Sequence, residues 1–199
     1  GAPSMAPIDP TRFHPHNVAD TCSVWNILSS RRLGAAAAEA RLHFCMTTFV
    51  RYECLDKRRA AQPTAAEAAL KESLRTEQAR GSFQAHSCDL GDLQSVQLLE
   101  RRKRLGAGEL STIAFAMKIG QAVLSDDRNA CRLAIEAGHA LTQTTPQMLA
   151  FLYFTGRLGD SDVQTVMRQH EESGRGLRPH FERAYEQALI CKLSAAPRA

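Results

Sequence analysis

The sequence has no long apolar run, few aromatic residues and little excess charge, and each shortage argues against a class of protein. No stretch approaches the roughly 18–20 uncharged residues of a membrane-spanning helix, so we expect no membrane segment. Aromatic residues make up 6% of the chain, which disfavours a surface that binds unpaired bases by stacking. A formal net charge of +4 permits an anionic partner without requiring one.

Apolar and charged residues, in contrast, are present in the proportions of an ordinary folded domain, at 44% and 23%. This composition excludes a disordered chain, a collagen-like repeat and a coiled coil. A length of 199 residues suits one domain. We expect a flexible N-terminal arm over residues 1–16, which opens with a Gly-Ala-Pro-Ser cloning remnant, and a single domain over residues 17–199.

The cysteines follow no disulfide or zinc pattern. The sequence has no C-x-x-C pair, no cysteine–histidine set with zinc spacing, and no export signal at its start. Six reduced and mostly buried thiols in a cytoplasmic protein are therefore expected. They are Cys22, Cys45, Cys54, Cys88, Cys131 and Cys191.

Short apolar segments alternate with helical ones along the chain. The predicted strands are the segment that ends at Asp20, Phe44–Thr47, Gln121–Ser125 and His139–Thr142. Helices are predicted between them, including one capped by Thr48 that carries Glu53, and further helices over Pro146–Tyr153, Ser161–Glu172 and Pro179–Leu193. This alternation predicts a three-layer α/β/α sandwich with a short, mostly parallel central sheet and added helices at the C-terminus.

Acidic residues follow two of the predicted strands and lie on two of the helices. Asp20 closes the first strand, and Asp126 and Asp127 follow the strand Gln121–Ser125. Glu53 lies on the helix after the second strand, and Glu109 lies in the first turn of another helix. Each has an ordinary structural explanation, because Asp is a common N-cap and Glu suits a helix N-terminus.

These acids gain significance together, because ligand sites of parallel α/β folds lie at the carboxyl ends of the strands. Two carboxylates about 4 Å apart repel by about 4 kcal/mol at an effective dielectric constant of 20. A cluster of this kind persists when a cation offsets the charge or when protons are taken up. Carboxylate oxygens select a hard divalent ion such as Mg²⁺ or Mn²⁺.

Two strings of residues also resemble a known family. They are Gly108-Glu-Leu-Ser-Thr-Ile-Ala-Phe-Ala116 and Val123-Leu-Ser-Asp-Asp-Arg-Asn-Ala-Cys-Arg-Leu-Ala134. Both are similar to the PIN-domain family, in particular to its standalone prokaryotic branch. The segment Asp20-Thr-Cys-Ser-Val corresponds to the opening strand of that family, and Glu53 falls where the family has its second acid. The resemblance extends from about Val18 to Leu193. The segment between Glu53 and Glu109 is long for the compact members of the family, so the resemblance implies a helical insertion over about residues 60–104.

The resemblance implies a metal-dependent endoribonuclease, either the toxin of a toxin–antitoxin pair or a related defence effector. Its catalytic residues would be Asp20, Glu53, Glu109 and Asp127. The ligands of Mg²⁺ or Mn²⁺ would be Asp20, Glu109, Asp126 and Asp127. Metal-activated water would attack the phosphodiester and leave a 5′-phosphate. RNA is the implied substrate, and an antitoxin protein and a second copy of the chain are the implied partners.

One departure from the family keeps other functions open. Cys22 stands where the family often has Asn or Ser, and a thiol is a poor substitute for an amide that orients water. A catalytically weakened scaffold that binds nucleic acid or protein is therefore the main alternative. A response-regulator-like phosphoryl-transfer domain is a third, but it needs a lysine at a later strand end, and the segment His139–Thr142 supplies only a threonine.

Basic residues near the acids are candidates for contact with phosphates. The predicted nucleic-acid-binding residues are Arg101, Arg102, Lys103, Arg104 and Arg128. The alternative for the run 101–104 is a solvated helix end, since cations favour a helix C-terminus. The arginines of the C-terminal helices, among them Arg168, Arg175, Arg178 and Arg183, are candidates for phosphate contact or for an oligomer surface.

Overall fold

A computed structural model describes residues 8–57, 62–89, 91, 94 and 105–195. Its centre is a parallel five-stranded sheet in the order β3-β2-β1-β4-β5. The strands are β1 (His16–Ala19), β2 (His43–Thr47), β3 (Gln84–His86), β4 (Ala122–Leu124) and β5 (Thr142–Gln143). The predicted α/β sandwich with a short parallel sheet is confirmed.

Helices connect the strands and extend the chain beyond the sheet. They are α1 (Thr21–Leu28), α2 (Arg31–Glu39), α3 (Thr48–Arg51), α4 (Ala65–Ala79), α5 (Ala107–Ile119), α6 (Arg128–Glu136), α7 (Thr145–Phe154), α8 (Asp160–Glu172) and α9 (Arg178–Ala195). A π-helical turn, Tyr52–Asp56, continues directly from α3. No helix within the described ranges is long and apolar enough to cross a membrane.

The alternation of side chains along the strands divides the core in two. Val18 and Val123 face a smaller cluster that α5 and α6 cover. Ala19 and Leu124, each one residue further along its strand, face a larger cluster with α1, α2, α4 and α7–α9. Each face of the sheet is therefore covered by helices, which accounts for three layers.

Apart from small shifts at the ends of elements, three features of the structure differ from the prediction. The strand β3 is not predicted, and the last strand pairs at Thr142–Gln143 rather than over residues 139–142. The helix predicted to be capped by Thr48 is instead capped by Thr47, whose hydroxyl accepts from the backbone N–H of Val50 at 3.2 Å. Thr47 is the last residue of β2, so the strand leads directly into the helix.

The segment predicted to be an insertion contributes to the sheet. Helix α4 packs Leu70 and Leu74 into the larger core, and β3 extends the sheet beyond β2. The basic run 101–104 lies outside the described residues. Residues 8–15 belong to the arm predicted to be flexible, and in the structure they contact the core, since the Phe13 ring stacks on Phe151 with centroids 5.9 Å apart.

Candidate active site at the carboxyl edge of the sheet

The chain order of the strands reverses between β1 and β4. From β1 the sheet grows through β2 to β3 on one side, and β4 and β5 lie on the other. Residues that follow β1 and β4 therefore meet at a topological switch point, where open α/β sheets bind ligands. Asp20 follows β1 and donates its backbone N–H to the carbonyl of Leu124 at 3.1 Å, and Asp126 and Asp127 follow β4 after one residue.

Asp20 is buried, with 1% of its surface exposed, and both of its oxygens are bound. Oδ1 accepts from the backbone N–H of Ser23 at 2.8 Å, so Asp20 is the N-cap of α1. Oδ2 accepts from the hydroxyl of Ser125 at 2.5 Å. Burial raises the pKa of Asp20 to about 6, although the bonds from Ser125 and Ser23 oppose the shift, and the nearby Asp126 charge adds to it. Asp20 is thus both a cap and a perturbed acid.

Asp126 connects three elements. Its Oδ1 accepts from the backbone N–H of Thr145 at 2.7 Å, and its Oδ2 accepts from the Thr145 hydroxyl at 2.6 Å. The Asn26 side-chain amide also donates to Oδ2, at 2.7 Å. These bonds join the end of β4 to the start of α7 and to the middle of α1. The carboxylate therefore has a fixed orientation.

Asp127 has the capping role that the sequence assigns to one of the two neighbouring acids. Its Oδ1 accepts from the backbone N–H groups of Asn129 at 2.6 Å and Ala130 at 3.1 Å, at the start of α6. Arg128, the next residue, is exposed in the first turn of that helix. Capping occupies one oxygen of Asp127 and directs the carboxyl group toward the helix N-terminus.

Glu53 lies on the π-helical turn and reaches two other elements. Its Oε2 accepts from the Thr21 hydroxyl at 2.5 Å, and its Oε1 accepts from the backbone N–H of Gly108 at 3.3 Å. A Cβ atom at position 108 would lie 2.9 Å from Glu53 Cδ and 3.1 Å from Oε1. Position 108 therefore needs glycine so that Glu53 can approach the start of α5.

Glu109 completes the group. Its Oε2 accepts from the backbone N–H of Gly106 at 2.8 Å, as in a capping box, which is the structural role expected near a helix N-terminus. Burial raises the pKa of Glu109, and the charges of Asp127 and Glu53 raise it further, although the Gly106 bond opposes the shift. Glu109, Asp127 and Glu53 are therefore electrostatic neighbours. We call the five acids Asp20, Glu53, Glu109, Asp126 and Asp127 the acidic edge.

The acidic edge has the donor chemistry of a site for a hard cation. Its ligands are carboxylate oxygens, which match Mg²⁺ and Mn²⁺ and not the softer metals that bind sulfur and nitrogen. Within the described ranges, however, no group of three or more His, Cys, Asp and Glu side chains is close enough to hold a metal ion. The residue types fit the ion. The distances between the described carboxylates do not form a closed metal site, because each carboxylate is held by hydrogen bonds from the protein.

Cys22, the departure from the family pattern, lies beside the acidic edge. Its sulfur accepts from the Arg175 guanidinium at 3.2 Å, and the Asn26 amide lies 3.7 Å away. Although the residue is exposed, desolvation of the sulfur raises the pKa of the thiol, and the charge of Arg175 opposes this shift. Cys22 is a neutral hydrogen-bond acceptor in this position.

Sequence reasoning missed the polar residues that orient the acids, namely Thr21, Asn26, Ser125 and Thr145. The sequence contains a signal for Asn26, because it is a single amide in the apolar run Val-Trp-Asn-Ile-Leu, which is typical of a buried position. In the structure it is 1% exposed. A buried amide needs hydrogen-bond partners, so its presence there predicts a polar neighbour. The partner itself, 100 residues away, has no signal in the sequence.

Comparison with models of protein families, with curated proteins and with solved structures finds no match for this chain. The fold and the acidic edge define an α/β sandwich with a carboxylate site at its topological switch point.

Proposed function

We propose that this protein is a metal-dependent endoribonuclease of the PIN type. The observation that supports the proposal is that Asp20, Asp126 and Asp127 follow β1 and β4 at the switch point of a parallel sheet, with Glu53 and Glu109 on the neighbouring turn and helix start. They come from the ends of β1 and β4, from the π-helical turn and from the start of α5. A protein keeps such mutually repelling groups together when a cation offsets their charge.

In this proposal Asp20, Glu109, Asp126 and Asp127 would hold Mg²⁺ or Mn²⁺. A bound ion would supply Lewis-acid activation of water and of the scissile phosphate. The protein contributes orientation, because Ser125 fixes one oxygen of Asp20 and Thr145 binds both oxygens of Asp126. Fixed partners of this kind tune metal ligands.

Glu53 has a separate part, because it reaches the start of α5 from the π-helical turn. Thr21 and the backbone of Gly108 hold its two oxygens, so the carboxylate is available to accept a proton from water at a fixed position. Arg128 and the basic run 101–104 are proposed to contact RNA phosphates. A role as a toxin or defence effector in the cytoplasm, with an antitoxin and a second copy as partners, belongs to the same proposal.

The test is cleavage of labelled RNAs and single-stranded DNAs in Mn²⁺, Mg²⁺ or EDTA. Wild-type protein should cut RNA only with a divalent ion, and Asp20→Asn should abolish cutting. Glu72→Gln is the matched control, because Glu72 is an exposed acid on α4 that pairs with Arg75. Equal cutting by Asp20→Asn and wild type would overturn the proposal.

A second function is favoured by one observation. The described carboxylates are engaged by protein donors and do not form a closed metal-binding group. A catalytically weakened scaffold that binds nucleic acid or protein would have these properties. It predicts neither cleavage nor Mn²⁺ binding by calorimetry, whereas the nuclease predicts both.

A further inference from the structure

Arg175 lies in the turn between α8 and α9. The turn contains Gly174, whose positive φ of 72° reverses the chain after α8. The backbone N–H of Arg175 then donates to the carbonyl of His170 at 3.1 Å. This turn directs the Arg175 side chain back to α1, which carries Cys22 and Asn26.

The guanidinium spans one turn of α1. Nε donates to the Asn26 side-chain oxygen at 2.9 Å, and Nη2 donates to the Cys22 sulfur at 3.2 Å. Cys22 and Asn26 are four residues apart and share one face of the helix. Two contacts at this spacing fix both the position and the plane of the guanidinium.

The partners of Arg175 differ in charge from those of other arginines. Arg32, Arg51, Arg75, Arg80 and Arg178, for example, form ion pairs with carboxylates. In the described part of the chain, the partners of the Arg175 side chain are an amide oxygen and a thiol, both neutral. A guanidinium has five N–H donors, and these two contacts use two of them.

An amide separates this positive charge from the acidic edge. Asn26 accepts from Arg175 with its oxygen and donates with its nitrogen to Asp126 Oδ2 at 2.7 Å. Within the described residues, the Arg175 guanidinium and the Asp126 carboxylate are therefore joined through the Asn26 side chain and not by a direct ion pair. Arg175 also lines a cavity of ≈ 680 Å³ whose wall carries two lysines and four acids besides, namely Lys57, Lys71, Asp56, Glu67, Glu171 and Glu172.

We propose that the Arg175 guanidinium, held by Cys22 and Asn26, binds a phosphodiester oxygen of the nucleic-acid substrate beside the acidic edge. This inference rests on the proposed nuclease function and adds a substrate contact to it. Arginine donates to phosphate oxygens in pairs and is the side chain best suited to this contact. The thiol at position 22 then has a role of its own, as an acceptor that orients the guanidinium.

The test is the binding of a fluorescein-labelled single-stranded RNA to the full chain in EDTA, measured by anisotropy over a range of salt concentrations. Arg175→Ala should weaken binding about 10- to 100-fold, as expected for the loss of a charge-assisted hydrogen bond. It should also reduce the slope of log affinity against log salt by about 0.7, the value for one phosphate of a single strand. Single-stranded DNA should show the same dependence because it has the same phosphates.

Matched variants separate the contact from simple charge loss. Arg75→Ala removes an equal charge from an exposed ion pair on α4 and should leave the salt slope unchanged. Arg175→Gln keeps a neutral donor to Asn26 and should resemble Arg175→Ala in binding, with a circular dichroism spectrum and melting temperature like those of wild type. Cys22→Ser keeps an acceptor and should bind normally, whereas Cys22→Val should weaken binding.

Arg175→Ala and Arg175→Gln binding like Arg75→Ala would overturn the inference, even if wild-type protein cleaves RNA. The phosphate contact can also hold when the nuclease function fails. If wild-type protein never cleaves RNA with Mn²⁺, but Arg175→Ala and Arg175→Gln reduce the salt slope and Arg75→Ala does not, the phosphate contact stands and the nuclease function fails.

Discussion

Replacing Gly108 by alanine should disturb Glu53 without unfolding the protein. The new Cβ would lie 2.9 Å from Glu53 Cδ, and closer still to Oε2, so the carboxyl group must move. Moving it breaks the bond from Thr21 at 2.5 Å and the bond from the Gly108 N–H at 3.3 Å. The atoms that collide belong to the end of a flexible side chain, so the backbone need not shift.

The net effect on stability is a difference of two small terms. Alanine in a helix is favoured over glycine by up to about 1 kcal/mol. Loss of each of the two hydrogen bonds to the charged Glu53 costs at most about 1.5–3 kcal/mol, and water recovers most of this because Glu53 is half-buried. We expect the free energy of unfolding of Gly108→Ala to fall by about 0–2 kcal/mol.

The decisive measurement is a double-mutant cycle with Glu53→Ala, followed by urea denaturation. With Glu53 truncated, the same glycine-to-alanine change should become stabilising, by about 0.5–1 kcal/mol. Gly34→Ala is the matched control, because a Cβ at Gly34 in α2 meets nothing within 4 Å and should stabilise by a similar amount. Equal effects of Gly108→Ala in the two backgrounds would refute the contact between positions 53 and 108.

Three further predictions concern other residues. The buried His170, whose Nε2 lies 3.3 Å from the Asn26 oxygen, has its pKa lowered to about 4, chiefly by burial. Because the unfolded chain takes up this proton first, His170 should lower the free energy of unfolding by up to about 3 kcal/mol as pH falls from about 6.5 to 4. Urea denaturation of wild-type protein and of His170→Gln across this pH range should show this loss in the wild type only, since the opposite contribution of Asp20 is common to both. Parallel plots of the free energy of unfolding against pH would contradict the prediction. Thr145→Val removes one hydrogen-bond donor to Asp126 and should lower the free energy of unfolding by about 1.5–3 kcal/mol. Thr48→Val, at an exposed position, is the control and should change it little. Equal melting temperatures of the two variants would argue against the bond from Thr145. Leu74→Ala, at a fully buried site on α4, should cost about 2–5 kcal/mol in urea denaturation if α4 packs on the core, whereas a cost below about 1 kcal/mol would show that it does not.

The sequence predicts those parts of the fold whose signals are local. Asp20 and Asp126 each follow an apolar segment, and parallel strands end at a common edge, so their place at one edge of the sheet follows from the local pattern, whereas the pairing of β1 with β4 does not. Strand β3 has no such signal, since Gln84-Ala-His86 is three residues long and its ends are exposed. Two adjacent threonines, Thr47 and Thr48, are equally good caps in the sequence, and only the end of β2 selects Thr47.

The contacts that orient the acids are not local. Asn26 and Asp126 are 100 residues apart, and Arg175 and Asn26 are 149 apart. Each depends on how helices pack on the sheet, and helix packing angles follow from side-chain shapes that a single sequence does not specify. The identities of the acids were therefore predictable, and their partners were not.

The network around Asp126 has a consequence for protein synthesis. Thr145 and Arg175 lie late in the chain, whereas Asp20, Cys22 and Asn26 lie near its start. Contacts over such separations close only after the intervening chain has been made and has folded. A ribosome that has translated the first 140 residues has made all five acids and Asn26, but it has not yet made Thr145, which binds both oxygens of Asp126, or Arg175, which contacts Asn26. The acidic edge is thus complete only in the nearly finished chain, and a truncated translation product carries an unassembled site.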